Sequence, residues 1–127
     1  MNLKKILFVA IMVFSFSFCS LKQEFISYTP AEFEKFIQED KSVQLVDVRR
    51  SDEFEAGHIE NALLINVLDS LTFMDKANAM LDKSRPVAVY CRSGKRSKDA
   101  ARKLSRKGYK VFDLDSGYLG WIKYLSE

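Results

Sequence analysis

The chain opens on an apolar block that has no polar face. Ile6 to Phe14 reads ILFVAIMVF, preceded by the basic MNLKK and followed by SFSFCS. From Ile6 to Cys19 is 14 residues, short of the ~20 that a spanning helix needs. The order basic, apolar, small is that of an export signal. Beyond it, short β-branched runs alternate with segments of helical period. Phe25–Tyr28 reads as a short strand. Thr29-Pro30-Ala31-Glu32 is a helix start, with Thr29 at the N-cap, Pro30 at N1 and Glu32 closing a capping box. Phe33, Phe36 and Ile37 fall on one face of that helix. Val43–Val48 has the apolar density of a buried strand. Ser51-Asp52-Glu53 caps a short helix ending near Gly57. Ala62–Val67 is a third strand, and Leu68–Leu81 a helix with Leu71, Met74 and Ala77 on one face. Val87–Tyr90, entered through Pro86, is a fourth strand. Lys95–Lys107 is a helix closed by Gly108, Val111–Leu114 a fifth strand, and Tyr118–Leu125 a last helix. Five short strands separated by helices predict an α/β domain, a five-stranded, mainly parallel sheet flanked by helices. It spans residues 20–127, after a signal peptide at 1–19. In such a sheet ligands bind beyond the carboxyl ends of the strands, which singles out the segment after Tyr90.

That segment reads Cys91-Arg92-Ser93-Gly94-Lys95-Arg96. A cysteine between a buried strand and a helix start faces free backbone N–H groups and the positive end of the helix dipole. Arg92, Lys95 and Arg96 add positive charge, and all of these favour thiolate over thiol. Gly94 lets the backbone curl so that successive N–H groups point at one spot. Cys91 is therefore the expected nucleophile, with Arg92, Ser93, Gly94, Lys95 and Arg96 forming an anion-binding cradle around it. A merely structural cysteine would leave three basic residues and a glycine in the next five positions unexplained.

Composition narrows the chemistry. With 47% hydrophobic and 29% charged residues, the chain is neither disordered nor of low complexity. Two cysteines and one histidine build neither a disulfide scaffold nor a histidine metal centre, and no Cys/His spacing is that of a zinc site, so no metal is expected. The net charge of +3, from 20 basic and 17 acidic residues, falls to +1 without Lys4 and Lys5. The pI of about 8.8 is thus no argument for nucleic acid. Residues 92–107 carry eight bases and one acid, and residues 32–60 nine acids and four bases; the domain is a charge dipole. Cys19 reads two ways: as the lipid-modified cysteine of a bacterial lipoprotein, or as a bystander to small-x-small cleavage after Ser17. Either reading places the domain in the bacterial cell envelope, in the periplasm, touching membrane only through a lipid anchor.

Four segments together resemble the rhodanese-like sulfurtransferases. They are Leu45-Val46-Asp47-Val48-Arg49; Glu53-Phe54 with Gly57-His58-Ile59 and Ala62; the loop Cys91 to Arg96; and Gly117-Tyr118-Leu119 with Gly120 and Trp121. The resemblance covers Phe25 to Leu125. It implies a single-domain rhodanese that moves a sulfane sulfur in two steps, from a small anionic donor such as thiosulfate to Cys91 as a persulfide, then to a cyanide or thiol acceptor. It implies no metal or organic cofactor, and the basic loop implies thiosulfate over 3-mercaptopyruvate. The domain is expected to be a monomer. Two positions depart from the family pattern: Glu60-Asn61 where Pro-Gly is usual, and Ser116 in place of the first of two glycines. Asp47 reads either as a partner of Arg96 that holds the loop, in support of the site, or as a strand-end residue that caps the next turn. Arg49 reads either as an anion-binding group or as an ion-pair partner of Glu53. His58 reads as a turn residue and Trp121 as core. The alternatives are a noncatalytic or persulfide-shuttling rhodanese-like module, and a cysteine phosphatase or arsenate reductase on the related fold. Against the last, arginine stands five places after the cysteine; the resemblance implies six for phosphatases, and Ser97 stands there.

Overall fold

The computed structural model describes Glu24–Glu127; the expected signal peptide at 1–19, with Cys19, lies outside the described residues. Ten elements follow in alternation: β1 (Ile26–Tyr28), α1 (Pro30–Glu39), β2 (Gln44–Asp47), α2 (Ser51–Ala56), β3 (Leu63–Leu64), α3 (Phe73–Met80), β4 (Val87–Tyr90), α4 (Lys95–Arg106), β5 (Val111–Leu114) and α5 (Gly117–Leu125). The strands form one sheet in the order β1-β5-β4-β2-β3, and every pairing is parallel.

The alternation of side chains along the strands builds two cores, one on each face of the sheet. Val46, Val48, Val87, Val89 and Val111 point to one face, with Phe73 and Ala77 of α3 and Ala100, Ala101 and Leu104 of α4. Leu45, Ala88, Tyr90 and Leu114 point to the other, with Phe33 of α1 and Trp121 of α5. Helix α1 starts as the sequence predicts: Thr29 Oγ1 accepts from the Glu32 N–H, Glu32 accepts from the Thr29 N–H, and Pro30 sits at the first turn.

Three elements differ from expectation. The third strand is two residues long, although Ile65 N–H still bonds the Asp47 carbonyl and Val67 N–H the Val48 carbonyl. The helix expected over Leu68–Leu81 begins only at Phe73, because Asp69 accepts from both Thr72 and Phe73 N–H and closes turns before it. Its buried stripe is Phe73, Ala77 and Leu81, and Leu71 is 95% exposed. Helix α2 is capped from Arg50, not Ser51, with the Glu53 carboxylate accepting the Arg50 N–H. The two departures from the family pattern fall on tolerant ground. Asn61 takes φ 69, a left-handed conformation that asparagine accepts more readily than most residues. Ser116 is right-handed and turns onto Gly120 one helical turn away, not onto the cysteine loop.

Candidate active site

Cys91 leaves the carboxyl end of β4 at the centre of the sheet, and α4 begins four residues later. Cys91 is 1% exposed, and its sulfur accepts the Gly94 N–H at 3.1 Å. Ser97, fully buried one turn into α4, places its Oγ 3.5 Å from the same sulfur. Gly94 makes this turn possible with φ 103; a Cβ there would strike the Asp115 carbonyl. The rim of the loop is exposed Arg92, Ser93 and Lys95. The cradle is thus a sulfur under a turn of backbone, at the positive end of a 12-residue helix, with the exposed cations Arg92 and Lys95 in the same loop.

The loop is held from three sides. From α5, the Tyr118 N–H donates to the Cys91 carbonyl at 2.7 Å and the Leu119 N–H to the Arg92 carbonyl at 3.1 Å. These helix-terminal donors have no partner inside their own helix, and they turn the loop carbonyls outward, leaving its N–H groups for the sulfur side. Gly117, at φ 66, lets the two backbones approach this closely: a Cβ would meet the Arg92 carbonyl. From α2, Glu53 takes Arg96 in a two-pronged pair at 2.7 and 2.9 Å. From β5, buried Asp113 takes Lys98 at 3.0 Å, and Lys98 also donates to the Gly94 carbonyl at 3.2 Å.

The expected pairing of Asp47 with Arg96 is therefore corrected. Asp47 belongs to Arg49, through Nε to Oδ1 at 2.9 Å and Nη2 to Oδ2 at 2.7 Å. The first turn of α2 brings Glu53, not Asp47, to Arg96. Arg49 is likewise corrected. It is 3% exposed, donates to the Gly57 carbonyl at 2.7 Å, and lies 4.5 Å from the Tyr118 ring centroid. It neither pairs with Glu53 nor presents an open edge to an anion; it ties β2 to the turn at Gly57. Arg96, expected to bind substrate, is spent on Glu53. Arg92, Ser93, Gly94 and Lys95 stand where the sequence places them. His58 stacks on Phe54 at 3.7 Å and bonds its carbonyl through Nδ1, a turn residue as expected, and Trp121 is buried in the core.

Electrostatics follow these pairs. The hydrogen bonds from Arg96 hold the Glu53 carboxyl at about 2, below its ordinary 4.5, and the same bonds raise the Arg96 guanidinium. Burial pushes the Tyr90 phenol up; its oxygen accepts the Ile59 N–H at 3.0 Å. For Arg49, burial opposes the charge, but the hydrogen bonds and charge of Asp47 outweigh it and the guanidinium is raised. Sequence reasoning missed Ser97, Lys98 and Asp113 as parts of the site. The available signal was period: Ser97 falls on the buried stripe of α4 with Ala100, Ala101 and Leu104, a polar residue on an apolar face.

Among known proteins, the family model for the rhodanese-like domain matches residues 29–124. Thiosulfate sulfurtransferase GlpE of Shewanella oneidensis is 38% identical over 84 residues, which is 65% of this chain and 79% of that protein. Thiosulfate sulfurtransferase 18 of Arabidopsis thaliana is 33% identical over 92 residues, 64% of this chain and 68% of its own. The crystal structure of a rhodanese-like domain protein from Staphylococcus aureus is similar with a TM-score of 0.67 at 31% identity, covering 76% of this chain and 90% of that one.

Proposed function

The chain belongs to the rhodanese-like domain family, and we propose that it is a thiosulfate sulfurtransferase working through a persulfide on Cys91. The observation that carries this reading is the Cys91 sulfur itself: bonded by the Gly94 N–H at 3.1 Å, at a helix N-terminus, beneath the exposed cations Arg92 and Lys95. Its burial favours a donor that enters end-on with one terminal sulfur over a bulky electrophile. The Cys91 thiolate attacks the outer sulfur of thiosulfate. A new S–S bond forms, the old one breaks, and sulfite departs with the electron pair. The persulfide anion stays in the cradle, where donors already in place stabilise it without reorganisation. A cyanide or thiol acceptor then attacks the outer sulfur and returns the Cys91 thiolate. Arg92 and Lys95 draw in the dianionic donor, and the Glu53–Arg96 and Lys98–Asp113 pairs keep the loop in shape. The names of the relatives support sulfur transfer as the chemistry.

The test is the mass of the Cys91 peptide after exposure to thiosulfate. Gain of one sulfur atom, discharged by cyanide, is expected; Cys91→Ser folds and neither gains sulfur nor turns over. Thiosulfate turnover by folded Cys91→Ser overturns the reading. The basic-then-apolar N-terminus further supports export to the cell envelope, with lipid anchoring through Cys19. Fractionation of wild type and Cys19→Ala tests this: release from membrane in the variant alone supports lipidation, and cytoplasmic protein retaining Met1 overturns export.

A further inference from the structure

Ser97 is fully buried, and its hydroxyl has two neighbours that ask opposite things of it. It donates to the Gly94 carbonyl at 3.2 Å, and the Cys91 thiol donates to its oxygen at 3.5 Å. A helical serine bonding back to a carbonyl three residues earlier is ordinary by itself. Here, however, the same carbonyl already accepts from Lys98 Nζ at 3.2 Å. Lys98 is in turn held by Asp113, whose Oδ2 also takes the Ser27 hydroxyl. The Gly94 carbonyl thus keeps a donor when the Ser97 hydroxyl turns away. Once Cys91 has lost its proton, its sulfur has nothing to donate, and the Ser97 oxygen lies beside a bare anion within reach of a sulfur hydrogen bond.

We propose that Ser97 is a catalytic residue: its buried hydroxyl turns from the Gly94 carbonyl to the Cys91 sulfur when that sulfur carries charge, and Lys98 is the positioning residue that frees it by holding the same carbonyl. This rests on Cys91 acting as a thiolate in the sulfur relay. No bond of Ser97 is made or broken. The thiol proton goes to solvent, and the hydroxyl rotates about its C–O bond. When the persulfide forms, charge moves to the outer sulfur and the hydroxyl returns to Gly94. When the acceptor removes that sulfur, charge returns to Cys91 and the hydroxyl follows it. Both half-reactions therefore gain from the same rotation. Among the described residues, the other charged and titratable groups on the elements packed around the thiol are Arg96 with Glu53, Arg92 and Lys95 in the loop, Lys98 with Asp113, Arg49 with Asp47 at the end of β2, and the phenols of Tyr90 and Tyr118.

Alkylation of Cys91 by iodoacetamide in the full chain, followed on the Cys91 peptide by mass across pH, separates this role from packing. A hydrogen bond to a charged group that is lost should slow Ser97→Ala about tenfold at neutral pH. The difference should close to within about twofold near pH 10, well above the range in which cysteine thiols ordinarily ionise. Ser97→Thr, which keeps the hydroxyl, should restore the wild-type profile. Lys98→Met, at a half-exposed position, should move the profile in the same direction by a smaller factor, because the hydroxyl is then needed at Gly94. Equal alkylation of wild type and Ser97→Ala at neutral pH overturns the proposal, as does slowing by one factor at every pH. If Ser97→Ala does not fold, an unchanged or faster Lys98→Met overturns it instead. Persulfide formation is scored separately in the same preparations. Wild type that takes no sulfur from thiosulfate overturns the relay, whereas normal persulfide with unchanged alkylation in Ser97→Ala overturns only the hydroxyl's role.

Discussion

The joint between the cysteine loop and α5 is the place where one methyl group should cost the most. Gly117 starts α5 at φ 66. A Cβ there would meet the Arg92 carbonyl and lie 2.6 Å from the Ser93 nitrogen, where ordinary contact begins at 3.4 Å. Gly117→Ala must therefore open the joint by more than that difference of about 0.8 Å, because the Arg92 carbonyl lies closer still. Two hydrogen bonds cross it, Tyr118 N–H to Cys91 at 2.7 Å and Leu119 N–H to Arg92 at 3.1 Å. Weakening both costs about 1 kcal/mol each, and the left-handed alanine about 1–2 kcal/mol more, so the expected destabilisation is about 3–4 kcal/mol. The loop moves with its carbonyls, and misplacing a reacting sulfur by close to 1 Å costs on the order of a hundredfold in rate. Gly108 supplies the control. It also has a positive φ, 96, but a Cβ there has nothing within 4 Å. Gly108→Ala should lose only the about 1–2 kcal/mol of backbone strain and keep full activity. Urea denaturation gives the stabilities, and thiosulfate-to-cyanide sulfur transfer gives the rates. If the two alanine variants lose equal stability and both remain fully active, α5 does not hold the loop and the reasoning fails.

The Glu53–Arg96 pair makes stability depend on acid. The distance from 4.5 to about 2, at about 1.4 kcal/mol per pH unit, amounts to at most about 3.5 kcal/mol. A depressed carboxyl stabilises the fold above its unfolded value, and that contribution fades as pH falls from about 4.5 to about 2. Glu53→Gln should accordingly be less stable than wild type by about 1–3 kcal/mol at pH 7, with the gap narrowing toward pH 2; a gap that stays constant down to pH 2 refutes the pair as its source. Hydrolysis of a small aryl phosphate should be slower than sulfur transfer by orders of magnitude, because buried Ser97 stands where the longer phosphatase loop carries its arginine; efficient hydrolysis with no thiosulfate activity reverses the assignment.

Local chemistry carried most of the fold into the sequence. Val87–Tyr90 and Val111–Leu114 are the observed strands residue for residue, because buried central strands of a parallel sheet are short, apolar and bounded by turn residues. The start of α1 was legible because a capping box is a contact within four residues. The helix expected from Leu68 was misread because apolar residues in a turn carry the same letters as those on a helix face; Leu71 is apolar and lies in solvent. Cys91 and its loop were legible for the same local reason: strand, cysteine, glycine and helix start are consecutive. What holds the loop was not. Asp47 and Glu53 are both acids of the β2–α2 segment, and sequence spacing does not say which one reaches Arg96. The parallel register places Asp47 beside Tyr90, where it takes its near neighbour Arg49, and one turn of helix carries Glu53 to Arg96. Lys98 meets Asp113, and Gly117 meets Arg92, only because β5 lies beside β4 and returns the chain to the loop. Backbone propensity and burial pattern act over a few residues, so sequence determined the central strands, the α1 cap and the place of the cysteine loop; ion-pair partners and close backbone approaches are set by sheet order, which the tertiary structure alone decided.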